Sequence, residues 1–279
     1  MLLHALFTRK IPGSEGVSFG SARVVKGGAA VWVFGTRNNT QILAFWSEDP
    51  GLRRWQSSVA KHMPRGYLAY NTDVTEGATP GQYVLAVELG APRAVVHAGN
   101  FMTAFWTTTA GSTTAPGSGW TLMPPERYGL RLNNSEGAAC PTLRFYNGFY
   151  YAVVLGLWDG VYKQVVARSK DLGDWTVGSG GGGYILQPAA AFDSQVMQGS
   201  LLQQNSRAAA TARAYLASTA DDDINSSDMD WVEIPGAGPQ GGSATLAVYT
   251  WGTQDWLGFG AAATIAASPA DWLASYFTS

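Results

Sequence analysis

Short apolar runs cut by Gly, Asn, Asp and Pro dominate the chain, and the 3.6-residue periodicity of amphipathic helices is scarce. The clearest unit pairs Thr142-Leu143-Arg144-Phe145 with Phe149-Tyr150-Tyr151-Ala152-Val153-Val154 around Tyr146-Asn147-Gly148. Asn-Gly between two β-rich runs predicts a tight hairpin, because both residues accept positive φ. Arg23-Val24-Val25, a turn at Lys26-Gly27-Gly28, and Ala30-Val31-Trp32-Val33-Phe34 repeat that pattern earlier. Val84 to Glu88 reads as the second strand of the next unit. Met229 to Ile234, Ala244 to Thr250 and Leu257 to Ala263 read as three strands of the last.

Several units end alike. Ser47-Glu48-Asp49-Pro50-Gly51-Leu52-Arg53-Arg54-Trp55 is echoed by Ser169-Lys170-Asp171-Leu172-Gly173-Asp174-Trp175. A looser copy is Ser268-Pro269-Ala270-Asp271-Trp272, and Trp106 to Trp120 gives a version opened by a Thr/Ser/Gly-rich insertion. Recurrence at a few tens of residues marks stacked supersecondary units. Five repeats of about fifty-five residues fit four-stranded blades, so the expected fold is all-β, a five-bladed β-propeller forming a single domain over 1–279. The fourth repeat, roughly Gly180 to Asp223, is the weakest. A β-sandwich is the competing fold and leaves the recurring Trp closure unexplained.

Composition narrows the function. Hydrophobic residues make up 46% and charged residues 14%, with 34 glycines and 12% aromatics, a balance that suits layered short strands and sugar-binding surfaces. The net charge of −2 comes without a basic stripe, so nucleic acid is not an expected partner. No apolar run approaches the roughly eighteen residues of a membrane span, so no membrane partner is expected. Met1 to Phe7 is too short for a secretory core, sequons stand at Asn38, Asn133 and Asn225, and the compartment stays open. Cys140 is the single cysteine, which rules out an internal disulfide. His4, His62 and His97 have no metal spacing, and Gly180 to Gly183 lacks the Lys-Ser/Thr of a phosphate loop. No cofactor is expected; calcium on the propeller axis, or at the Asp221-Asp222-Asp223 loop, is left open. The oligomeric state is unknown.

The first strand of each blade lines a propeller's central funnel, so acids there are the candidate chemistry. They are Asp73 in Tyr70-Asn71-Thr72-Asp73-Val74, Glu136 before the third hairpin, and Asp228 and Asp230 in Asn225-Ser226-Ser227-Asp228-Met229-Asp230. Glu88 joins them because a carboxylate in an apolar strand is costly without a partner. Converging carboxylates suit glycoside hydrolysis, in which one group donates a proton and another activates water or attacks. Candidate sugar contacts are Asn71, Arg144, Arg168, Trp251 and Gln254, with Trp158 and Trp256 as further stacking surfaces. Plainer roles exist beside these: Asp73 and Asp228 as turn caps, and Asp49, Asp171 and Asp271 as fixtures of the blade closures.

The run Glu136-Gly137-Ala138-Ala139-Cys140-Pro141-Thr142-Leu143-Arg144-Phe145-Tyr146-Asn147-Gly148 resembles the third-blade segment of five-bladed propeller glycoside hydrolases of families 43 and 32. The closure Arg168 to Trp175 is similar to the same group, and Ile224 to Asp230 with Tyr249 to Gln254 resembles related bacterial propeller glycosidases. The resemblance implies Glu136 as general acid and Asp73 as the residue tuning its pKa. The general base of family 43, an Asp on the first strand of the first blade, has no counterpart in Gly16 to Arg23, which turns attention to Asp228 or Asp230. The expected function is therefore an exo-acting glycoside hydrolase on a carbohydrate substrate. A non-catalytic glycan-binding propeller is the alternative, with its acids paired to Arg144 or Arg168. Phosphorolysis, using Arg131, Arg144 and Arg168 for phosphate, is a third possibility.

Overall fold

A computed structural model describes residues 11–90, 101–109, 116–132, 137–158, 161–178, 184–186, 225–252 and 258–277. At 157–158, 161–163, 184–186, 225–228, 250–252 and 258–261 only the backbone is described. The chain divides into two compact units at Gly129/Leu130.

The first unit holds two antiparallel sheets, each with its strands in sequence order. Blade A is β1 (Val17–Val25), β2 (Ala30–Arg37), β3 (Gln41–Ser47) and β4 (Gln56–His62). Blade B is β5 (Leu68–Glu76), β6 (Tyr83–Gly90), β7 (Phe101–Thr107) and β8 (Thr121–Leu122), followed by a single-turn helix α1 (Pro125–Tyr128). The second unit holds blade C, of β9 (Ala139–Tyr146), β10 (Phe149–Trp158), β11 (Val161–Ser169) and β12 (Thr176–Val177), with β13 (Tyr184–Leu186) also paired to β11. Blade D is β14 (Asn225–Ile234), β15 (Ala244–Gly252) and β16 (Gly258–Ile265), then helix α2 (Pro269–Ala274). The fold is an all-β propeller of meandering blades. The described residues form four blade sheets where the sequence reads as five repeats; most of the span assigned to the fourth, 180–223, lies outside them. Its described part, β13, opens no new sheet, because it fills the edge of β11 that the two-residue β12 leaves unpaired.

Central strands are buried on both faces, which is why β2, β3 and β6 read as continuous apolar runs rather than as alternation. Trp32, Phe34, Ile42, Trp46, Leu85, Val87, Met102 and Trp106 form one core between blades A and B. Tyr151, Val153, Val166, Met229, Trp231, Tyr249 and Trp272 form the corresponding core between C and D. Each fully buried large side chain among them is worth roughly 2–3 kcal/mol relative to exposure. The predicted Asn147-Gly148 hairpin is present, with φ of 50° and 82° joining β9 to β10.

The repeated closures are turns built by aspartate. In blade A the Asp49 carboxylate accepts from the backbone N–H of Gly51 at 3.1 Å and Arg53 at 3.0 Å, and the Trp55 indole donates to the Leu52 carbonyl at 3.0 Å. Blade C repeats this with Asp171, Gly173 at 2.9 Å, Asp174 at 3.0 Å, and Trp175 to Leu172 at 2.9 Å. Leu52 and Leu172 take φ of 50° and 68°, conformations unfavourable for a branched side chain that these bonds hold in place. Those amide bonds hold both carboxyl groups below the usual carboxylate range. The third copy differs from expectation. Ser268 caps α2, accepting from Asp271 N–H at 3.2 Å and donating to its carboxylate at 2.7 Å, so a helix closes blade D and inserts Trp272 and Leu273 into the core. Pro269 at the first helical turn favours that outcome.

All four first strands carry the same kind of irregularity. Gly20-Ser21 in β1 oppose Phe34, Tyr70-Asn71 in β5 oppose Glu88, Cys140-Pro141 in β9 oppose Val154, and Asp228-Met229 in β14 oppose Tyr249. These are β-bulges, two residues facing one, and they bend and re-aim a strand. Within each unit the first strands meet at these bulges. A Cβ on Gly20 would stand 1.9 Å from the Thr72 carbonyl oxygen, and the Thr142 hydroxyl donates to the Met229 carbonyl.

Two outcomes follow from this packing. Gly20→Ala should cost roughly 1–3 kcal/mol or more, because the opposing atom is backbone and cannot give way. Gly51→Ala, facing only the flexible Arg53 side chain at 3.4 Å, should change melting little. Equal melting temperatures for the two variants would contradict this. The second concerns pH. Burial pushes the Tyr249 phenol from 10.0 up to about 12, so the folded chain keeps a proton that the unfolded chain releases. Stability should therefore fall as pH rises from about 10 to about 12, and Tyr249→Phe should flatten that fall in melts across the alkaline range.

Candidate functional site

The bulges decide which side chains the first strands present. In blade B the bulged residue Asn71 donates its amide to the Glu88 carboxylate at 2.7 Å. Glu88 is 6% exposed, in the middle of an otherwise apolar strand. Blades A, C and D have Phe34, Val154 and Tyr249 at the same register, so among the described blades only B carries a carboxylate there. Asp73 pairs across from Ala86, two residues from Glu88, which places both carboxylates on one face of the sheet. Thr103, fully buried, lies directly opposite Glu88 on β7.

Asp73 is fully buried and held by an ion pair. Arg23 of β1 reaches it at 2.9 Å, and the Val74 N–H donates to the same carboxylate at 2.8 Å. The other terminal nitrogen of Arg23 donates to the Ala22 carbonyl at 2.9 Å. The second unit repeats the device. Arg144 of β9 meets Asp230 of β14 at 2.5 Å and donates to the Leu143 carbonyl at 2.7 Å, while the Trp231 N–H donates to Asp230 at 2.7 Å. The Arg144 guanidinium also lies 4.9 Å from the Trp231 ring centre, and the Trp231 indole donates to the Tyr146 hydroxyl at 3.3 Å. Each pair ties neighbouring first strands together at the level of the bulges. The Arg23–Asp73 pair, with its aspartate fully buried, is costly to break by removing one partner, by about 3–5 kcal/mol, and far less costly to replace whole.

The expected site residues are thus placed as follows. Asn71, Asp73 and Glu88 come together in blade B, and Arg144 and Asp230 come together between blades C and D. Asp228 occupies the β14 bulge and Trp251 pairs across from Ser226 on β15, their side chains undescribed. Glu136, Gln254 and Trp256 lie outside the described residues. Arg168 stands on β11, the third strand of blade C, stacked 4.7 Å from the Phe149 ring and 4.2 Å from Phe277, and not beside the first-strand acids. Sequence reasoning passed over Arg23 and the bulges. Their signal was a small, polar or Pro-containing pair inside each first strand, with Pro141 the clearest, since proline in a strand is confined to edges and bulges. Among the described residues no three His, Cys, Asp or Glu side chains gather as a metal cage. No helix there is long and apolar enough to cross a membrane.

No protein-family model matches the chain, and no curated protein matches it in sequence. Solved structures do match its fold. Fructan 1-exohydrolase IIa from Cichorium intybus aligns with TM-score 0.58 at 12% identity, over 94% of this chain and 44% of its own. The fructofuranosidase from Schwanniomyces occidentalis complexed with fructose gives 0.55 at 11%, over 91% and 44%. A BT0996 complex with RGII gives 0.54 at 9%, over 91% and 72%. The chain therefore has the all-β propeller fold found in glycoside hydrolases, with a likeness that is one of fold and not of sequence.

The repeated pairs yield a double-mutant test. Arg23→Met alone should leave the buried Asp73 carboxylate without its arginine and destabilise by about 3–5 kcal/mol, while Arg23→Met with Asp73→Leu should recover most of that loss. Denaturant unfolding measures both; additive losses would show that the two side chains do not act as a pair.

Proposed function

We propose that the chain is a carbohydrate-active propeller, an exo-acting glycoside hydrolase whose chemistry sits on the first strands and on Glu88 beside them. The observation that carries this reading is Glu88: a carboxylate at a register position that is apolar or aromatic in the other blades, held by Asn71 and on the same face as Asp73. Burying an acid where the other described blades place Phe, Val or Tyr is costly even with Asn71 as partner, which supports its being kept for a ligand. Fold similarity to a fructan exohydrolase, a fructofuranosidase with fructose and an RGII complex supports a glycan as that ligand. In this reading Glu136 protonates the leaving oxygen and Asp228, on the β14 bulge, activates water. Asp73, fixed by Arg23, tunes the acid. Glu88 and Asn71 orient sugar hydroxyls. Asp230 is engaged by Arg144 and serves the scaffold.

A second reading, a glycan-binding propeller without turnover, is favoured by the ion pairs that occupy Asp73 and Asp230. One experiment separates the two. The purified protein is assayed against nitrophenyl glycosides, β-fructans and pectic polysaccharides, with Glu136→Gln and Glu88→Gln alongside. Turnover that falls about 10²–10⁴-fold in Glu136→Gln, and also falls in Glu88→Gln, supports the hydrolase. Absence of turnover, together with a sugar that raises the melting temperature, supports the binding module.

A further inference from the structure

An open groove of about 490 Å³ lies on blade C between the start of β10, the end of β11 and the turn into β12. Phe149, Arg168, Lys170, Asp174 and Thr176 line it. Its size falls within the roughly 300–1,000 Å³ of small-molecule sites. The repeat itself shows what is unusual. Aligning Ser47-Glu48-Asp49 with Ser169-Lys170-Asp171 puts Arg168 at the level of Trp46, which is buried in the core between blades A and B. Trp106 takes the corresponding place on β7. Blade C therefore has a cation where blades A and B bury an indole.

That cation is prepared for a ligand. Its guanidinium is stacked 4.7 Å from Phe149 on one strand and 4.2 Å from Phe277 of the C-terminal segment. Among the described residues it makes no side-chain hydrogen bond and no ion pair. Aromatic stacking fixes the plane of the guanidinium and leaves its N–H fork unspent, the arrangement that binds a carboxylate through two parallel bonds. Lys170 adds a second charge 5.2 Å from the Phe149 ring. The acids of the groove set the ligand's charge. The Asp171 carboxylate is spent on its own turn, whereas Asp174 and Thr176 stand exposed at the rim. Two cations with one rim carboxylate, Asp174, suit a singly charged, hydroxyl-rich molecule better than a phosphate or sulfate dianion.

We infer that this groove is a subsite for a uronic-acid sugar, its carboxylate on the Arg168 fork with Lys170 and its hydroxyls on Asp174 and Thr176. The ligand class rests on the carbohydrate reading above; the anion-binding geometry does not. Titration of the full chain with galacturonate and glucuronate, followed by amide NMR shifts, tests it, with galactose and sodium sulfate as comparators at matched ionic strength. Uronates should shift amides of 149–151 and 168–176, and Arg168→Gln should weaken binding by about tenfold or more. Should Arg168→Gln melt early, the exposed-site variants Lys170→Gln and Thr176→Val carry the test, and each should weaken uronate binding. Unchanged affinity in these variants, or galactose or sulfate binding as well as the uronates, would overturn the inference. Uronate binding in a chain without hydrolase turnover would sustain this subsite while removing the hydrolase reading, and turnover without uronate binding would do the reverse.

Discussion

An arginine on one first strand gripping an aspartate on the next is the contact on which each unit depends. Arg23–Asp73 and Arg144–Asp230 join strands that share no ladder of backbone bonds, since each belongs to a different sheet. Packing of apolar faces, such as the core around Trp32 and Trp106, holds blades together non-directionally. A charge pair whose arginine also bonds its own strand's carbonyl, and whose aspartate also accepts a backbone N–H, fixes the register between blades. The Gly20–Thr72 approach and the Thr142–Met229 hydrogen bond lie close by on the same strands and require the same alignment.

Within that frame the function is read from departures. The bulges recur in all four described blades and so belong to the fold, but the residue facing each bulge is free to vary. Phe34, Val154 and Tyr249 fill space there; Glu88 does not. Arg168 is a second departure of the same kind, a guanidinium between phenyl rings at the level of a repeated tryptophan. Internal repetition makes each blade a control for its neighbours.

Much of the architecture was legible from local chemistry. The Asn147-Gly148 hairpin, the apolar central strands and the Ser-x-Asp closures all follow from short-range rules of turn residues and burial. The closure of blade D was misread because Ser268-Pro269-Ala270-Asp271 satisfies both the turn pattern and the helix-capping pattern, and the buried Trp272 and Leu273 favour the helix. The candidate site was legible in part. Glu88 stood out as a charge in an apolar run, but its partner Asn71 is brought to it by a bulge that no periodicity reveals. Arg23 was overlooked because a long-range ion pair leaves no mark on the sequence near either residue. Phe277 lies more than a hundred residues from Arg168, and only folding brings the two together.

We propose that Glu88 is kept for a ligand, in which case the blade does not need its carboxylate to fold. The most direct measurement is the melting temperature of Glu88→Val, which installs the residue that blade C carries as Val154 at the same register. A melting temperature equal to or above that of the parent is predicted, because an apolar side chain replaces a buried acid at a register that is apolar or aromatic in blades A, C and D. A fall comparable to that of Arg23→Met would mean that the carboxylate holds the blade together, and would contradict a role in binding.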